Sequence, residues 1–347
     1  MITARIALLV GVFFLTADGG SAQAPLELKP VASVNVPGRT AYGIIEPIKC
    51  DSNSNIYVQA YQRSDALGLT PVTKVTPDGK ATTFPLPKLK DERPQILDFA
   101  PTAEGGIVLL VMDSVGHPFV DGYSEDGKFN WRFSLPAELD AMQIAVSPKG
   151  KILVSGFWSN AGAPAGEGSR PFAALFDRAG RVEREVTLTE ESQASEPEAP
   201  EPGPGAARSL SHIRRTISLS SLQFSSNESF VLARLGSGGP IYTISPDGFE
   251  MSTLHPTVPP CSRLHSVKVD GDTVAALFVK KRKESTQNEL SDIFVSLINS
   301  QTGEQQGLYH HSAAQLGAGL ACYKNGVFTF LTTGDNDQLE IVRATAK

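Results

Sequence analysis

The chain has 347 residues and a formal net charge of −6 at neutral pH, with 31 lysines and arginines against 37 aspartates and glutamates. This balance lacks the basic surface that drives binding to phosphate backbones, so we expect no nucleic-acid partner. Hydrophobic residues make up 41% of the chain, enough for a sizeable core. No run beyond the N-terminal segment reaches the roughly 18 to 20 apolar residues of a membrane-spanning helix.

The first 22 residues have the composition of a secretory signal peptide. Arg5 supplies a positive charge, residues 6–15 form an apolar run, and residues 20–22 are the small residues of a cleavage site. We therefore expect cleavage at the end of this segment, one mature domain over residues 23–347, and a secreted or periplasmic location. Cleavage after Ala24 and an uncleaved N-terminal anchor are the alternatives.

A turn with a central glycine recurs along the mature chain at a period of about 50 residues. Short β-rich runs flank each copy, and the glycines are Gly79, Gly127, Gly180, Gly248 and Gly303. A period of this length with two hairpins in each unit is typical of β-propeller blades, in which four antiparallel strands form one radial sheet. The pattern therefore predicts an all-β chain folded as a six-bladed β-propeller.

The first repeat illustrates the predicted four-stranded blade. Its strands are expected at residues 44–49, 56–60, 72–75 and 81–84, with the last two joined by the turn at Asp78 and Gly79. Asp-Gly readily adopts the positive φ that hairpin turns require. Corresponding runs follow in the next four repeats.

The last repeat is one strand short. It offers residues 319–322, 327–331 and 339–343, after which the sequence ends, whereas residues 30–37 have strand character and no local partner. We expect the N-terminal strand to complete the last blade, because this closes the ring and removes an open sheet edge. Residues 189–208, rich in proline and glutamate, interrupt the repeat and are expected to be a disordered insertion.

Three cysteines suggest one possible disulfide. Cys50 and Cys322 fall near the ends of the first strands of the first and last blades, which ring closure would make neighbours. One hypothesis is therefore a Cys50–Cys322 bridge with Cys261 free, in an exported protein where disulfides persist. Three buried free thiols fit the sequence equally well.

Propellers usually bind ligands at the mouth of the central channel, and we place this mouth where the inner strands begin. The side chains expected there are Glu46, Asp98, Gln143, Ser221, His265 and Gln315. As a binding site this ring needs no cofactor. Alternatively, the two carboxylates and the imidazole could hold a divalent metal such as calcium or zinc, or act as acid and base.

Two further groups resemble metal sites only superficially. Residues 51–55 begin like a calcium loop but lack the glycine and the glutamate of an EF-hand, so they are interpreted as a turn between strands. His255, Cys261 and His265 lie close in sequence, but their spacing matches no standard zinc finger.

The segments Ile48–Asp51 and Asn55–Val58, followed by Thr73–Lys80, resemble blades of the NHL-type six-bladed β-propellers. The resemblance covers nearly all of the mature chain and implies, for many members, a binding or scaffolding role. Related lactonases and lyases carry a metal-binding glutamate before a proline on the first inner strand, and Glu46-Pro47 is similar to that. The asparagine and aspartate ligands of that group have no match at Gln143 or Ser221.

These observations favour a monomeric, non-catalytic propeller that binds a protein, peptide or glycan at the channel mouth. A metal-dependent hydrolase or lyase of the lactonase-like type, using Glu46, Asp98 and His265, is the alternative. A structural module tethered through the insertion at 189–208 is a third possibility.

Overall fold

The computed structural model describes residues 24–40, 43–61, 70–89, 94–158, 170–188, 220–236, 239–281, 290–334 and 337–346. Within these ranges the chain forms 24 strands and one four-residue helix, α1 (Ala313–Leu316). The predicted signal peptide and the predicted insertion at 189–208 lie outside the described residues. No helix of the described part is long and apolar enough to cross a membrane.

The strands form four four-stranded sheets and one eight-stranded sheet. The N-terminal strand is β1 (Leu26–Thr40). The first sheet contains β2 (Gly43–Cys50), β3 (Ile56–Tyr61), β4 (Thr73–Val75) and β5 (Ala81–Thr83). The second contains β6 (Gln95–Pro101), β7 (Ile107–Met112), β8 (Pro118–Tyr123) and β9 (Phe129–Ser134). The third contains β10 (Leu139–Val146), β11 (Ile152–Trp158), β12 (Arg170–Phe176) and β13 (Val182–Val186).

The fourth sheet contains β14 (Ser220–Phe224), β15 (Phe230–Arg234), β16 (Ile241–Ile244) and β17 (Met251–Leu254). The eight-stranded sheet contains β18 (Ser262–Asp270), β19 (Thr273–Lys281), β20 (Leu290–Asn299), β21 (Gln305–Ser312), β22 (Leu320–Lys324), β23 (Val327–Thr333), β24 (Gln338–Ala346) and β1. Its order, β18-β19-β20-β21-β1-β24-β23-β22, consists of two antiparallel four-stranded halves. The halves meet where β1 runs parallel to β21 at Leu26 and Glu27. The all-β, propeller-like architecture with four-stranded antiparallel blades is therefore confirmed.

Apolar side chains fill the interfaces between successive sheets. One buried cluster joins the first and second sheets, another joins the second and third, and others continue round the molecule. A further cluster joins strands of the first sheet to β22, β23 and β24. Strands such as β7, which reads Ile-Val-Leu-Leu-Val-Met, are buried on both faces because a sheet packs on each side of them. This explains why several strands read as continuous apolar runs rather than as alternating patterns.

The turn glycines behave as the repeat predicts. All five have positive φ, from 72° at Gly248 to 89° at Gly79. The amide of Gly79 donates to the carbonyl of Thr76, and that of Gly127 donates to the carbonyl of Ser124. Glycine occupies these positions because side-chain-bearing residues are strained in this left-handed region.

The N-terminal strand completes the sheet of the C-terminal strands, as predicted. β1 pairs antiparallel with β24 from Leu28, opposite Ala346, to Asn35, opposite Glu340. The first and last parts of the described chain are thus held in one sheet. The edge of β24 that would otherwise be open is paired along most of its length.

The first strand of each four-stranded sheet lies at the centre, together with the two edge strands of the eight-stranded sheet. These inner strands are β2, β6, β10, β14, β18 and β22, and each contacts the next, with β22 contacting β2. Cys50 on β2 and Cys322 on β22 have Cα atoms 5.7 Å apart and are joined as a disulfide, while Cys261 is exposed and not bridged. The disulfide therefore spans the junction between the first and last inner strands.

Replacing both bridged cysteines, as Cys50→Ala with Cys322→Ala, should lower the free energy of unfolding by about 2–4 kcal/mol, because the bridge constrains the unfolded chain. Urea denaturation of the oxidised protein measures this, with Cys261→Ala as the matched control that should leave the midpoint unchanged. An unchanged midpoint in the double variant would show that the bridge does not form in solution.

Candidate functional site

A buried ion pair lies at the centre of the ring of inner strands. Lys49 Nζ on β2 is 2.8 Å from Asp98 Oδ2 on β6, and only 5% and 3% of the two side chains are exposed. Lys49 also donates to the carbonyl of Ile144 on β10, at 2.8 Å. Asp98 accepts the amides of Ile144 at 2.8 Å and Phe99 at 2.7 Å. Two side chains thus join three inner strands.

Burial acts on both members of this pair. It lowers the pKa of Lys49 and raises the pKa of Asp98, and in each case the opposite charge of the partner offsets part of the shift. Desolvation of a charge is costly unless the charge is paired and hydrogen-bonded. The backbone groups around the pair meet this requirement for the carboxylate.

A second buried lysine lies beside this pair. Lys268 on β18 is 2% exposed, and its Nζ donates to the carbonyl of Ile48 on β2. Burial lowers the pKa of Lys268 to about 8, while the carboxylate of Glu46 opposes that shift and the charge of Lys49 adds to it. Burial also lowers the pKa of His265, again opposed by Glu46. Glu46, His265 and Lys268 are therefore electrostatic neighbours.

The other predicted site residues are engaged locally. Gln143 accepts a hydrogen bond from Ser155 Oγ at 2.8 Å, along its own sheet. Ser221 accepts one from Gln223 Nε2 at 3.4 Å. Gln315 does not lie at the start of an inner strand: it is exposed on α1, and β22 begins only at Leu320. The structure thus links Glu46, Asp98 and His265 through Lys268 but does not gather all six residues.

Irregular strand pairing explains much of the difference between the predicted and the observed positions of these side chains. The ladder register shifts between Ile96 and Asp98 and between Ala141 and Gln143, each time adding a residue on the inner strand. In β2 the pairing breaks between Ile45 and Lys49, and Glu46 Oε2 accepts the amide of Ile48 at 3.0 Å. Each extra residue reverses the alternation of side chains, so an unbroken period of two misplaces them.

The donor set for a divalent metal is poor in the described part of the chain. No three His, Cys, Asp or Glu side chains there lie close enough together to hold one ion. Asp98, the best-buried candidate, already holds an ammonium group and two amides. Asp51 is likewise occupied, because its Oδ1 accepts the amides of Asn53 and Asn55. The interpretation of residues 51–55 as a turn is confirmed.

A cavity of about 440 Å³ opens at the end of the channel where the inner strands finish. Every inner strand contributes its C-terminal residues to the wall, and none of the six predicted site residues lines it. The polar side chains in its wall include Lys49, Gln223, Asp270, Tyr323 and Lys324. The cavity is therefore at the opposite mouth from the one that the sequence suggests.

The rim of this cavity is polar and is held by hydrogen bonds between neighbouring strands and turns. Lys324 Nζ donates to the carbonyl of Ser52, which ties β22 to the turn after β2. Asp270 accepts the amide of Asn325 at 3.1 Å, and Gln223 Nε2 donates to the carbonyl of Val267. Burial raises the pKa of Tyr323, whose ring lies at the wall. A small number of polar groups around a concave wall is the usual form of a ligand site.

Sequence reasoning missed the two lysines. Each lies between apolar residues of an inner strand, in Ile48-Lys49-Cys50 and in Val267-Lys268-Val269. A lysine in such a position is rarely buried unless paired. A lysine between two apolar residues of an inner strand was therefore the sequence signal for a buried, paired amine.

No family model matches the chain and no curated protein matches it, so the resemblance to NHL-type propellers stays a prediction. Solved structures do resemble it. A protein of unknown function from Bacteroides caccae matches with a TM-score of 0.46 and 10% identity, covering 85% of this chain and 97% of that one.

Two further structures have similar scores. A TolB candidate from Agrobacterium tumefaciens has a TM-score of 0.46 and 10% identity, over 93% of this chain and 100% of its own. BBS1N, solved in complex with ARL6DN, has a TM-score of 0.42 and 10% identity, over 93% and 98%. At these scores the likeness carries no inference about ligand or activity, and the propeller assignment rests on the strand pairing.

The substitution Lys49→Met should lower the free energy of unfolding by about 3–5 kcal/mol, because it leaves the Asp98 carboxylate buried without its cation. The double variant Lys49→Met with Asp98→Asn should lose less than the sum of the two single variants, since neither charge is then left alone. Urea titrations of the four proteins measure this. Strictly additive losses would contradict the pairing.

The buried amine of Lys268 predicts a pH dependence. Its pKa falls from an ordinary 10.5 to about 8, so the folded protein releases this proton before the unfolded chain does. Between about pH 8 and pH 10.5 the unfolded state binds more protons, and the contribution of this group to stability rises with pH. Below pH 8 both states are protonated and the cost of burying the charge is at its largest.

The measurement is the free energy of unfolding of the parent minus that of Lys268→Met, from pH 7 to pH 10.5. This difference should rise over the upper part of the range. A difference that does not change with pH would show that Lys268 titrates normally.

Proposed function

We propose that the chain is an exported, monomeric six-bladed β-propeller of the NHL type that acts as a non-catalytic binding module. Its ligand is a protein, peptide or glycan, taken at the mouth where the inner strands end. The observation that carries this proposal is the cavity of about 440 Å³, to which all the inner strands contribute.

The count of six blades is supported by the ring of inner strands. Four of them begin the four-stranded sheets, and the other two, β18 and β22, are the edges of the eight-stranded sheet. We count that sheet as two blades, because its halves share only a parallel contact at Leu26 and Glu27. An exported location is supported by the Cys50–Cys322 bridge, since disulfides persist in oxidising compartments.

A binding role is favoured over catalysis by the state of the buried charges. The carboxylate of Asp98 holds Lys49 and two amides, and so has little capacity for a metal or for proton transfer. The cavity wall, by contrast, presents amide, hydroxyl, carboxylate and ammonium groups beside the ring of Tyr323. Such a wall can recognise a polar ligand without changing it.

The metal-dependent hydrolase or lyase is the alternative, with Glu46, Asp98 and His265 as ligands. It is favoured only by the electrostatic proximity of Glu46 and His265. For a divalent ion to bind, Asp98 would have to exchange the ammonium group of Lys49 for the metal. This alternative therefore requires the central ion pair to open.

Blocking the cavity should weaken ligand binding without affecting the fold. Ser52 is exposed and lines the cavity, so Ser52→Trp places an indole at the mouth. The matched control is Ser134→Trp, an exposed position on β9 that does not line this cavity. The probes are a defined array of neutral and acidic glycans and a peptide library, with the mature domain labelled for detection.

Any glycan or peptide that binds the parent should bind Ser52→Trp at least about tenfold more weakly, a loss of about 1.4 kcal/mol. The Ser134→Trp control should keep the parent affinity. Equal binding by the parent and Ser52→Trp would overturn the proposed site.

A further inference from the structure

A second cavity, of about 650 Å³, lies between the second and third sheets, on the face of the molecule where the inner strands end. We name it the side cleft. It shares two wall residues, Thr102 and Val146, with the cavity at the channel mouth. The side cleft and the channel mouth are therefore adjacent.

An aromatic platform forms one wall of the side cleft. The indole of Trp131 lies directly on the backbone of Gly122, where an added Cβ would be 2.3 Å from the ring. The same ring stacks on Phe133, with centroids 5.7 Å apart and planes inclined by 8°. The indole is half-buried, so packing from Gly122 and Phe133 fixes a flat apolar surface before any ligand arrives.

The opposite wall carries an exposed cation. The guanidinium of Arg178 lies over Gly150, where an added Cβ would be 2.4 Å from its Nε. Gly150 has φ of +78°, so glycine suits this position for two reasons. Asn130 and Ser147 add an amide and a hydroxyl to the cleft.

The charges of the side cleft are balanced. Glu125 pairs with Lys74 at 2.8 Å, and Asp126 pairs with Lys128 at 2.6 Å. The two other charged residues of the wall, Glu104 and Arg178, have opposite signs. The cleft thus has little net charge to select an acidic or a basic peptide.

We propose that the side cleft binds a neutral, linear oligosaccharide whose chain continues toward the channel mouth. This inference rests on the proposed binding function and names its ligand class. The apolar face of a sugar ring stacks on Trp131, and its hydroxyls donate to Glu104 and accept from Asn130 and Arg178. A ligand of this kind uses the aromatic, carboxylate, amide and guanidinium groups just named and needs no charge of its own.

The two tryptophans of the chain allow a direct test. Trp131 lines the side cleft, whereas Trp158 ends β11 and lines neither cavity. In the variant Trp158→Phe, Trp131 is the only indole and its fluorescence reports on the cleft. The probes are hexamers of β-1,4-linked glucose, β-1,4-linked N-acetylglucosamine, β-1,4-linked xylose and α-1,4-linked glucose.

At least one of these hexamers should change the emission of Trp158→Phe saturably. By calorimetry, the same hexamer should bind Trp131→Ala at least about tenfold more weakly than the parent, with Trp158→Ala unchanged as the matched control. Glu104→Gln, which leaves the indole in place, should also weaken binding and covers the case in which Trp131→Ala fails to fold.

The outcomes separate this inference from the proposed function. Failure of all four hexamers to bind the folded parent overturns the carbohydrate assignment, and so does binding that Trp131→Ala and Glu104→Gln leave intact. If a peptide binds the parent but not Ser52→Trp, and no hexamer binds, the carbohydrate ligand is overturned and the channel mouth remains the proposed site. A hexamer whose binding is lost in Trp131→Ala but retained in Ser52→Trp supports the side cleft, and it overturns both the proposed mouth and the continuation of the ligand toward it.

Discussion

The ion pair of Lys49 and Asp98 is the interaction on which the centre of this propeller depends. Inner strands of a propeller converge, and here a carboxylate on β6 and an ammonium group on β2 meet next to the backbone of β10. Apolar packing between the sheets is not directional, so it brings the strands together without fixing their relative heights. The paired charges and their backbone partners add that constraint. Lys268, bonded to the carbonyl of Ile48, extends it to β18.

Two further contacts, one strand pairing and one disulfide, close the ring. The N-terminal strand pairs with β24, and the Cys50–Cys322 bridge joins the first and last inner strands. With the ring closed and its centre occupied by buried side chains, the described residues leave a polar cavity at the strand ends and the side cleft beside it. A rigid scaffold with a polar concave surface suits recognition, because its groups lose little freedom when a ligand binds.

The sequence predicts the turns and the strand pairing of this fold much better than the positions of the side chains at its centre. Gly79 and the other turn glycines repeat because each turn needs a residue at positive φ, and the missing last strand is predictable because an open sheet edge needs a partner. The positions of the predicted site side chains are harder to predict, for a different reason. Extra residues before Asp98 and Gln143 reverse the side-chain alternation, and a bulge of this kind has no reliable signature in one sequence. The nearness of Lys49 to Lys268 depends on ring closure and is not visible locally.

Asp98 is committed to Lys49, and we therefore propose that the protein binds its ligand without a metal. Elemental analysis of the purified mature protein after dialysis tests this most directly, with Glu46→Ala, His265→Ala as the comparison. We expect less than stoichiometric calcium, zinc or other divalent metal in both proteins. Stoichiometric metal in the parent that is lost in the double variant would contradict the account and would favour the metal-dependent hydrolase or lyase.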